Sequence, residues 1–372
     1  MKLKIAVLPG DGIGPEVTEQ AVKALNAIAA EFDHKFKFKY ADVGAIAIDK
    51  TGDPLPEDTL DLCESCDAIL FGAIGDPKYD NDPSAKIRPE QGLLRLRKTL
   101  KLFANIRPLT VYEQLLDKSP LKKEIITGTD IIIYRELTGG IYFGDKTLSD
   151  DGDYASDLCA YSRHEIERIA HLAFKAAQNR KKKVTLVDKA NVLESSRLWR
   201  KVVTEIGKQY KDITLDFMFI DNAAMQMVLN PTQFDVILTG NMFGDIISDE
   251  ASVIGGSIGL LASASIGDKY AMFEPIHGSY PQAKGKQIAN PIASILSAAM
   301  LLEHFDLYDE ADLIKKAVAK SIELNITTPD LNKSHGQITT TLVGNFVEDF
   351  IYNPSDSNMN FQNIHLGQST II

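Results

Sequence analysis

The chain has 372 residues, of which 44% are hydrophobic and 24% are charged, so it can bury a large core, and wholesale disorder is excluded. This length suggests two or three domains. Acidic residues outnumber basic ones by 51 to 40, and the formal net charge of −11 argues against nucleic acid and anionic membrane surfaces as partners.

The cysteine content indicates a reducing compartment. Only Cys63, Cys66 and Cys159 are present, which is too few for a disulfide framework.

The apolar runs are short. The first one ends at Pro9, too early for a signal peptide, and the longest later one, 291–302, is too short to span a bilayer. We therefore expect a soluble, cytoplasmic protein.

Strand and helix patterns alternate along the chain. The predicted strands are 5–8, 35–40, 68–72, 102–106, 131–134, 183–187, 214–219 and 236–239. The predicted helices are 15–30, 56–65, 90–100, 162–180, 194–210, 243–254, 290–305, 310–325 and 338–351. Such alternation is typical of an α/β protein with a largely parallel sheet.

Two glycine-bearing segments could lie beside a ligand. Gly10, Gly12 and Gly14 follow the first strand, but their GxGxG spacing differs from the GxGxxG dinucleotide fingerprint, so a tight turn near a ligand is the better interpretation. The segment 274–291 places a loop before a helix, which suits a nucleotide without requiring one.

Asp245 and Asp249 form a possible cation site. They are four residues apart on a predicted helix, so their carboxylates share one face and repel each other by about 0.2–0.5 kcal/mol. Mg²⁺ or Mn²⁺ would reverse the sign of that interaction. The alternative is a solvated helix N-terminus, where aspartate is favoured in any case.

Several cations lie in apolar surroundings. Arg95 and Arg97 fall on one predicted helix, and Arg107 and Arg135 lie at strand ends, where bidentate carboxylate binding would offset their burial. Each could instead pair with a structural acidic residue. Lys189 follows a buried strand and is either a general base or an ordinary lysine.

Taken together, these segments resemble the isocitrate/isopropylmalate dehydrogenase family of metal-dependent β-decarboxylating dehydrogenases from about residue 4 to about residue 350. The motifs that carry the resemblance are Gly10–Glu16, Arg135–Gly144, Asp188–Glu194, Gly240–Asp249 and His277–Ser279. The Glu-Leu-Thr-Gly-Gly-Ile-Tyr run after Arg135 is similar to the isopropylmalate branch.

The resemblance implies a two-domain α/β fold with a mixed, largely parallel sheet, and not a classical Rossmann fold. Domain one would join 1–103 to 256–372 and carry the cofactor loop. Domain two, 104–255, would carry the metal and substrate residues and the interface of a homodimer whose active sites are shared between subunits.

The implied reaction is NAD-dependent oxidative decarboxylation of the dicarboxylate (2R,3S)-3-isopropylmalate to 4-methyl-2-oxopentanoate and CO₂, in leucine biosynthesis. A sister enzyme acting on tartrate, malate or homoisocitrate is the alternative. Phosphoryl transfer is less well supported, because the chain has no GxxxxGK[ST] loop.

The resemblance also implies roles for the residues. Arg97, Arg107 and Arg135 would bind the substrate carboxylates. Mg²⁺ or Mn²⁺ would be held by Asp245 and Asp249, with Asp221 supplied by the other subunit and also contacting substrate. Lys189, again from the other subunit, would be the catalytic base, and Tyr142 would be the general acid.

Two further groups of residues follow from the resemblance. Glu90, Leu93 and Leu94 share a helix face and would meet the isopropyl group and the nicotinamide. The NAD-binding residues would be His277, Gly278, Ser279, Tyr280, Pro281, Gln282, Ala283, Gly285 and Asn290. Gln282 stands where NAD-using members commonly have Asp, but the Lys-Tyr pair of NADP-using relatives is absent, so NAD is expected.

Overall fold

The computed structural model of the chain describes residues 1–81, 86–332 and 338–354. The tail after Asn353 had no predicted role, and almost all of it lies outside these residues. The strands are β1 Lys2–Gly10, β2 Lys35–Tyr40, β3 Ala68–Ala73, β4 Ala104–Thr110, β5 Asp130–Glu136, β6 Lys146–Leu148, β7 Ala155–Asp157, β8 Lys183–Asp188, β9 Thr214–Phe219, β10 Val236–Thr239, β11 Ala262–Ile266 and β12 Ala271–Pro275.

The helices confirm the alternation. They are α1 Gly14–Glu31, α2 Ala45–Thr51, α3 Glu57–Glu64, α4 Pro77–Asp80, α5 Pro89–Thr99, α6 Lys123–Ile126, α7 Arg163–Gln178, α8 Glu194–Gly207, α9 Ile220–Leu229, α10 Asn241–Ile254, α11 Ile292–His304, α12 Tyr308–Glu323 and α13 Thr340–Tyr352. No helix in the described ranges is long and apolar enough to cross a membrane.

The chain divides into two compact units. Unit 1 comprises Met1–Leu96, Ile258–Ala262 and the described part of Met272–Ile372. Unit 2 comprises Arg97–Ser257 and Ser263–Ala271. Unit 1 is therefore discontinuous in sequence, and both units contain strands and helices.

Unit 1 contains parallel strands in the order β2-β1-β3-β12. Residues 5–8 of β1 are fully buried, and Ile5 is aligned with Phe38 of β2 and Ala68 of β3. Helix α1 begins next to Pro15, which suits a first helical turn because proline has no N–H to leave unpaired. Its face carrying Val17, Leu25 and other apolar residues is buried, and α11 and α13 pack against it.

Unit 2 contains strands in the order β11-β4-β5-β10-β8-β9. β4 is antiparallel to both of its neighbours, and β5, β10, β8 and β9 are parallel. The register aligns Thr239 with Arg135 on one side and with Val187 on the other. Because parallel strands end at the same edge of a sheet, the segments after β5, β10 and β8 emerge side by side.

The core of unit 2 fixes that edge. Helices α7 and α8 cover β8 and β10 with fully or nearly fully buried side chains that include Phe174, Trp199 and Val203. Their apolar faces pack on Val184 and Leu238 of the strands. A buried, close-packed layer of this kind leaves the strand ends little freedom to move.

Three local predictions need correction. Arg107 lies inside β4, and Arg135 lies inside β5 with Glu136 after it, so neither arginine ends its strand. Helix α11 begins at Ile292, two residues later than predicted, because the Asn290 side chain accepts a 3.0 Å hydrogen bond from the Ile292 N–H and forms a turn before the helix.

Strand β11 and the hairpin β6–β7 were not predicted. β11, Ala-Ser-Ala-Ser-Ile, has small and polar residues that give no strand signal, yet four of its five residues are buried. The hairpin strands have only three residues each and are exposed. The cysteines are free thiols, as expected, with Cys63 and Cys66 buried and Cys159 exposed.

Candidate active site

A cluster of arginines and aspartates lies in unit 2 where β5 and β10 end. Arg135 extends from β5 with a side chain that is only 4% exposed, and its Nη1 donates to Oδ1 of Asp245 on α10. Helix α10 approaches this closely because of Gly244, where a Cβ atom would lie 2.6 Å from the Arg135 Cγ. The glycine that precedes Asp245 in this motif is therefore needed for close packing of α10 against Arg135.

Arg107 joins the same cluster from β4. Its Nε donates to Asn105 Oδ1 at 2.7 Å, and its Nη1 donates to Ser248 Oγ at 2.6 Å and to Asp249 Oδ1 at 3.1 Å. Its Nη2 lies 3.7 Å from Asp245 Oδ1. One guanidinium group therefore contacts both aspartates, which places the two carboxylates on the same side of α10.

The cluster is balanced in charge. Two guanidinium groups, of Arg107 and Arg135, face two carboxylates, of Asp245 and Asp249. Burial, together with the nearby Arg107, lowers the pKa of Arg135 to about 10, although Asp245 opposes the shift. A dicarboxylate together with a divalent cation would add no net charge, so the cluster could take up both at once.

Tyr142 reaches the cluster from a short 3₁₀ turn, Gly140–Tyr142. Its hydroxyl donates to Asp245 Oδ2 at 2.9 Å, and its ring lies 5.8 Å from the Arg135 guanidinium carbon. Desolvation raises the pKa of Tyr142, and the hydrogen bond to Asp245 raises it further. The hydroxyl therefore keeps its proton near neutral pH, as a proton donor must.

Glu136 anchors the backbone that leads into the Gly140–Tyr142 turn. Its buried carboxylate accepts hydrogen bonds from the N–H groups of Thr138 and Gly139, and it pairs with Arg168 at 3.2 Å. Burial raises the pKa of Glu136, and these donors oppose the shift. The backbone leading to Tyr142 is thus tied to a fully buried anchor.

Lys189 and Asp221 form a separate pair in unit 2. Lys189 directly follows β8, and its Nζ donates to Oδ1 of Asp221, in the first turn of α9, at 2.7 Å. This hydrogen bond lowers the pKa of Asp221. The Asp221 side chain is 66% exposed, so the pair is accessible from outside the chain.

The chemistry of Asp245 and Asp249 fits a divalent cation. Both offer carboxylate oxygens on one helix face, which are the ligands that Mg²⁺ and Mn²⁺ prefer. Within residues 1–81, 86–332 and 338–354, no three histidine, cysteine, aspartate or glutamate side chains are grouped to hold a metal ion. Asp245 and Asp249 could supply two ligands of a divalent-cation site, and further ligands would have to come from elsewhere.

In unit 1, the predicted cofactor loop lies against the glycine turn after β1. The Ile13 N–H donates to the Ser279 carbonyl at 2.8 Å, and a Cβ atom on Gly12 would lie 2.0 Å from that oxygen. The Gly285 N–H donates to Glu16 Oε1 at 3.1 Å. The glycines therefore permit a close contact between two backbone segments, which agrees with a tight turn and not with a dinucleotide fingerprint.

The loop also offers polar groups to a ligand. The Nε2 atom of His277 is buried and has no hydrogen-bond partner among the described residues, and burial lowers the pKa of His277. Tyr280 and Gln282 are exposed, whereas Ser279 and Ala283 are buried. An unpartnered imidazole nitrogen beside exposed side chains fits a polar ligand such as a dinucleotide.

Other predicted residues of the loop have structural partners. Asn290 donates to Asp330 Oδ2 at 3.1 Å, in addition to accepting from Ile292. Gly278, Pro281 and Gly285 contribute backbone that is partly or fully exposed. The nine residues thus fall on one continuous segment of unit 1, some accessible and some used by the fold.

Helix α5 carries the remaining predicted contacts. Glu90 and Leu93 are half-buried and Leu94 is exposed, and all three belong to unit 1. Arg97, in the last turn of α5, belongs to unit 2. Arg95 pairs with Asp53 at 3.0 Å on the surface, so for this arginine the structural alternative is correct.

Sequence reasoning missed Asn105, Ser248 and Asn241, which bind the two arginines directly. Asn241 precedes the two aspartates in the Gly240–Asp249 motif, Ser248 lies between them, and both are buried. Polar side chains within the helix turns that carry paired carboxylates are a signal that could have indicated them.

Comparison with known proteins shows which family the chain belongs to. A family described as "Isocitrate/isopropylmalate dehydrogenase" matches residues 4–347. A 3-isopropylmalate dehydrogenase of Bacteroides fragilis is 54% identical over 352 residues, covering 94% of this chain and 99% of that protein. One of Aquifex aeolicus is 54% identical over 334 residues, covering 89% of this chain and 92% of that protein.

Solved structures give the same result for the fold. An isocitrate dehydrogenase of Methylococcus capsulatus superposes with a TM-score of 0.84 at 35% identity, covering 94% of this chain and 99% of that one. A beta-decarboxylating dehydrogenase of Thermococcus kodakarensis gives 0.78 at 36% identity, with 95% and 98% covered. The predicted fold class is confirmed, and the chain belongs to the isocitrate/isopropylmalate dehydrogenase family.

Proposed function

We propose that this protein catalyses the NAD-dependent oxidative decarboxylation of (2R,3S)-3-isopropylmalate to 4-methyl-2-oxopentanoate and CO₂, the leucine-biosynthetic reaction. The observation that carries the proposal is the charge-balanced cluster of Arg107, Arg135, Asp245 and Asp249 with Tyr142 bonded into it. The names of the relatives at 54% identity support the substrate.

In this proposal the arginines orient the substrate. Arg97, Arg107 and Arg135 hold its two carboxylates, because guanidinium groups match carboxylates geometrically. Leu93 and Leu94 offer apolar surface on α5 to the isopropyl group, and Glu90 on the same helix contacts the nicotinamide side. A longer or more polar substituent would find no matching partner at the two leucines.

The chemical steps need one base and one acid. Lys189 accepts the proton of the 2-hydroxyl while C2 loses a hydride and becomes a ketone. The β-keto acid then loses CO₂, and Tyr142 donates a proton to C3 of the resulting enolate. The raised pKa of Tyr142 supports its role as the acid.

The proposed reaction also needs a divalent cation and NAD. A divalent cation held by Asp245 and Asp249 supplies a Lewis acid that eases loss of the hydroxyl proton and stabilises negative charge on the substrate oxygens. NAD, held by the loop from His277 to Asn290, supplies the hydride acceptor. Gln282 can hydrogen-bond a ribose hydroxyl but does not repel a 2′-phosphate, so NAD over NADP is the expected preference and not a strict one.

We further propose that the working enzyme is a homodimer. Helices α9 and α10 pack together and expose Met225, Leu229, Ile246 and Val253. Exposed apolar residues on adjoining helices are typical of an oligomer interface. Lys189 and Asp221, accessible at this end of unit 2, would serve the site of the other subunit, and the partner subunit's Asp221 would complete the cation ligands.

We also propose a division into two domains, one formed by 1–103 with 256–372 and the other by 104–255. The two compact units, which have similar sequence ranges, support this division.

We propose a reducing, cytoplasmic compartment, which the three free thiols support.

The decisive experiment measures reduced nicotinamide with NAD, Mn²⁺ and each of 3-isopropylmalate, isocitrate, homoisocitrate, malate and tartrate. We expect the highest kcat/KM with 3-isopropylmalate. A higher value with one of the other acids would assign the chain to a sister reaction instead, and no turnover of any would contradict the proposed chemistry.

A further inference from the structure

Asn241 is the first residue of α10, is fully buried, and makes hydrogen bonds to three different segments. Its Oδ1 accepts from Arg135, its Nδ2 donates to the Gly139 carbonyl at 3.1 Å, and its backbone N–H donates to the Tyr161 hydroxyl at 2.7 Å. Hydrogen bonds from one buried residue to three different segments restrict its position tightly.

The contact with Arg135 selects one side of the guanidinium group. Asn241 Oδ1 accepts from Nε at 3.1 Å and from Nη2 at 2.8 Å, which are the two nitrogens on one edge of the guanidinium plane. The other edge, formed by Nη1 and Nη2, faces the cluster, where Nη1 meets Asp245. One amide oxygen thus fixes which pair of N–H groups can receive a carboxylate in bidentate fashion.

The contact with Gly139 acts on a different part of the site. Gly139 precedes the 3₁₀ turn that ends at Tyr142. A donor on Asn241 therefore ties that turn to the start of α10, four residues before Asp245, which accepts from the Tyr142 hydroxyl. The amide holds both the arginine and the tyrosine relative to the same helix.

We infer that Asn241 is a positioning residue with two separable functions: its Oδ1 orients Arg135 toward a substrate carboxylate, and its Nδ2 fixes the turn that carries Tyr142. This inference rests on the proposed function, because it assumes that Arg135 binds substrate and Tyr142 donates a proton. Asn241 itself touches neither the substrate nor the cofactor in this scheme.

The two functions can be separated by two substitutions. Asn241→Leu is close in shape and removes both contacts, so KM for 3-isopropylmalate should rise about 10–100-fold and kcat should fall, while KM for NAD changes less than about twofold. Asn241→Asp keeps an acceptor for Arg135 but loses the donor to Gly139, so kcat should fall while KM for 3-isopropylmalate stays closer to that of the wild type. Asn179→Leu, at an exposed asparagine of unit 2, is the matched control and should change neither.

A double-mutant cycle with Arg135→Lys tests the mechanism of the KM effect. A lysine cannot use the edge that Asn241 fixes, so adding Asn241→Leu to Arg135→Lys should raise KM less than about twofold further. A full, additive effect, or an unchanged KM in folded Asn241→Leu, would overturn the inference. Absence of turnover in the wild-type enzyme would instead contradict the proposed function on which the inference depends.

Discussion

The Tyr142 hydroxyl donates a 2.9 Å hydrogen bond to Oδ2 of Asp245, while Oδ1 of the same carboxylate accepts from Arg135. The Asp245 carboxylate, which is itself a proposed cation ligand, therefore bonds both to the proposed proton donor and to a proposed substrate-binding arginine. Because α10 carries this aspartate, small displacements of the helix would disturb all three functions together.

Tyr142→Phe tests the proton donor. The variant keeps the ring beside Arg135 but loses the hydroxyl, so kcat should fall about 10²-fold through slow protonation at C3. In a single turnover, formation of reduced nicotinamide should be impaired less than formation of 4-methyl-2-oxopentanoate. Tyr352→Phe, at an exposed tyrosine of α13, is the control, and equal impairment of both steps would contradict the assignment.

Hybrid dimers test whether active sites are shared. Lys189→Met chains and Tyr142→Phe chains should each be nearly inactive alone. When they are unfolded and refolded together, half of the dimers are hybrids, and each hybrid regains one site with an intact Tyr142 and the partner subunit's Lys189. We expect recovery to about a quarter of wild-type activity on equal, random mixing. No recovery despite hybrid formation would place both residues in the site of one chain.

The sequence predicts the periodic parts of the fold well. β2 and β9 have the predicted bounds, because polar and apolar side chains alternate over the first four residues of each strand. β11 escaped prediction, because its small side chains are buried by surrounding elements and not by any local preference.

The candidate site shows a similar division. Arg107, Arg135 and the two aspartates could be identified from their motifs, and the structure brings them into one cluster. Asn241 could not be ranked among them, because its importance lies in bonds to Arg135 and Gly139, which are more than a hundred positions away in sequence. Long-range hydrogen bonds of this kind leave no periodic signal.

Asp249→Asn tests the cation site with less damage to the fold than Asp245→Asn, because the Asp249 side chain is more exposed. Losing one carboxylate ligand should weaken Mn²⁺ binding at least about tenfold. Direct titration by electron paramagnetic resonance, without substrate, measures this independently of turnover. Asp216→Asn, at a surface aspartate paired with Lys183, is the control, and unchanged Mn²⁺ affinity in Asp249→Asn would remove it from the ligand set.

Cys63 should make stability fall at alkaline pH. Burial raises the pKa of its thiol from 9.0 to about 12, so the folded state keeps a proton that the unfolded chain releases above pH 9.0. Between these values the unfolded state binds fewer protons, and the free energy of unfolding decreases as pH rises. Urea titrations at neutral pH and near pH 10 should show a smaller loss in Cys63→Ala than in wild type, and equal losses would contradict this.

Gln282→Asp tests how the loop discriminates between cofactors. Gln282 is exposed and neutral, so the wild-type enzyme should use NADP measurably, although less well than NAD. A carboxylate at this position would repel the 2′-phosphate and bind ribose hydroxyls, so the NAD preference in kcat/KM should rise about tenfold or more. Lys284→Gln, which removes a nearby cation without adding a negative charge, should lower NADP use while leaving NAD use unchanged. If Gln282→Asp alters both cofactors equally, Gln282 does not face the adenosine ribose.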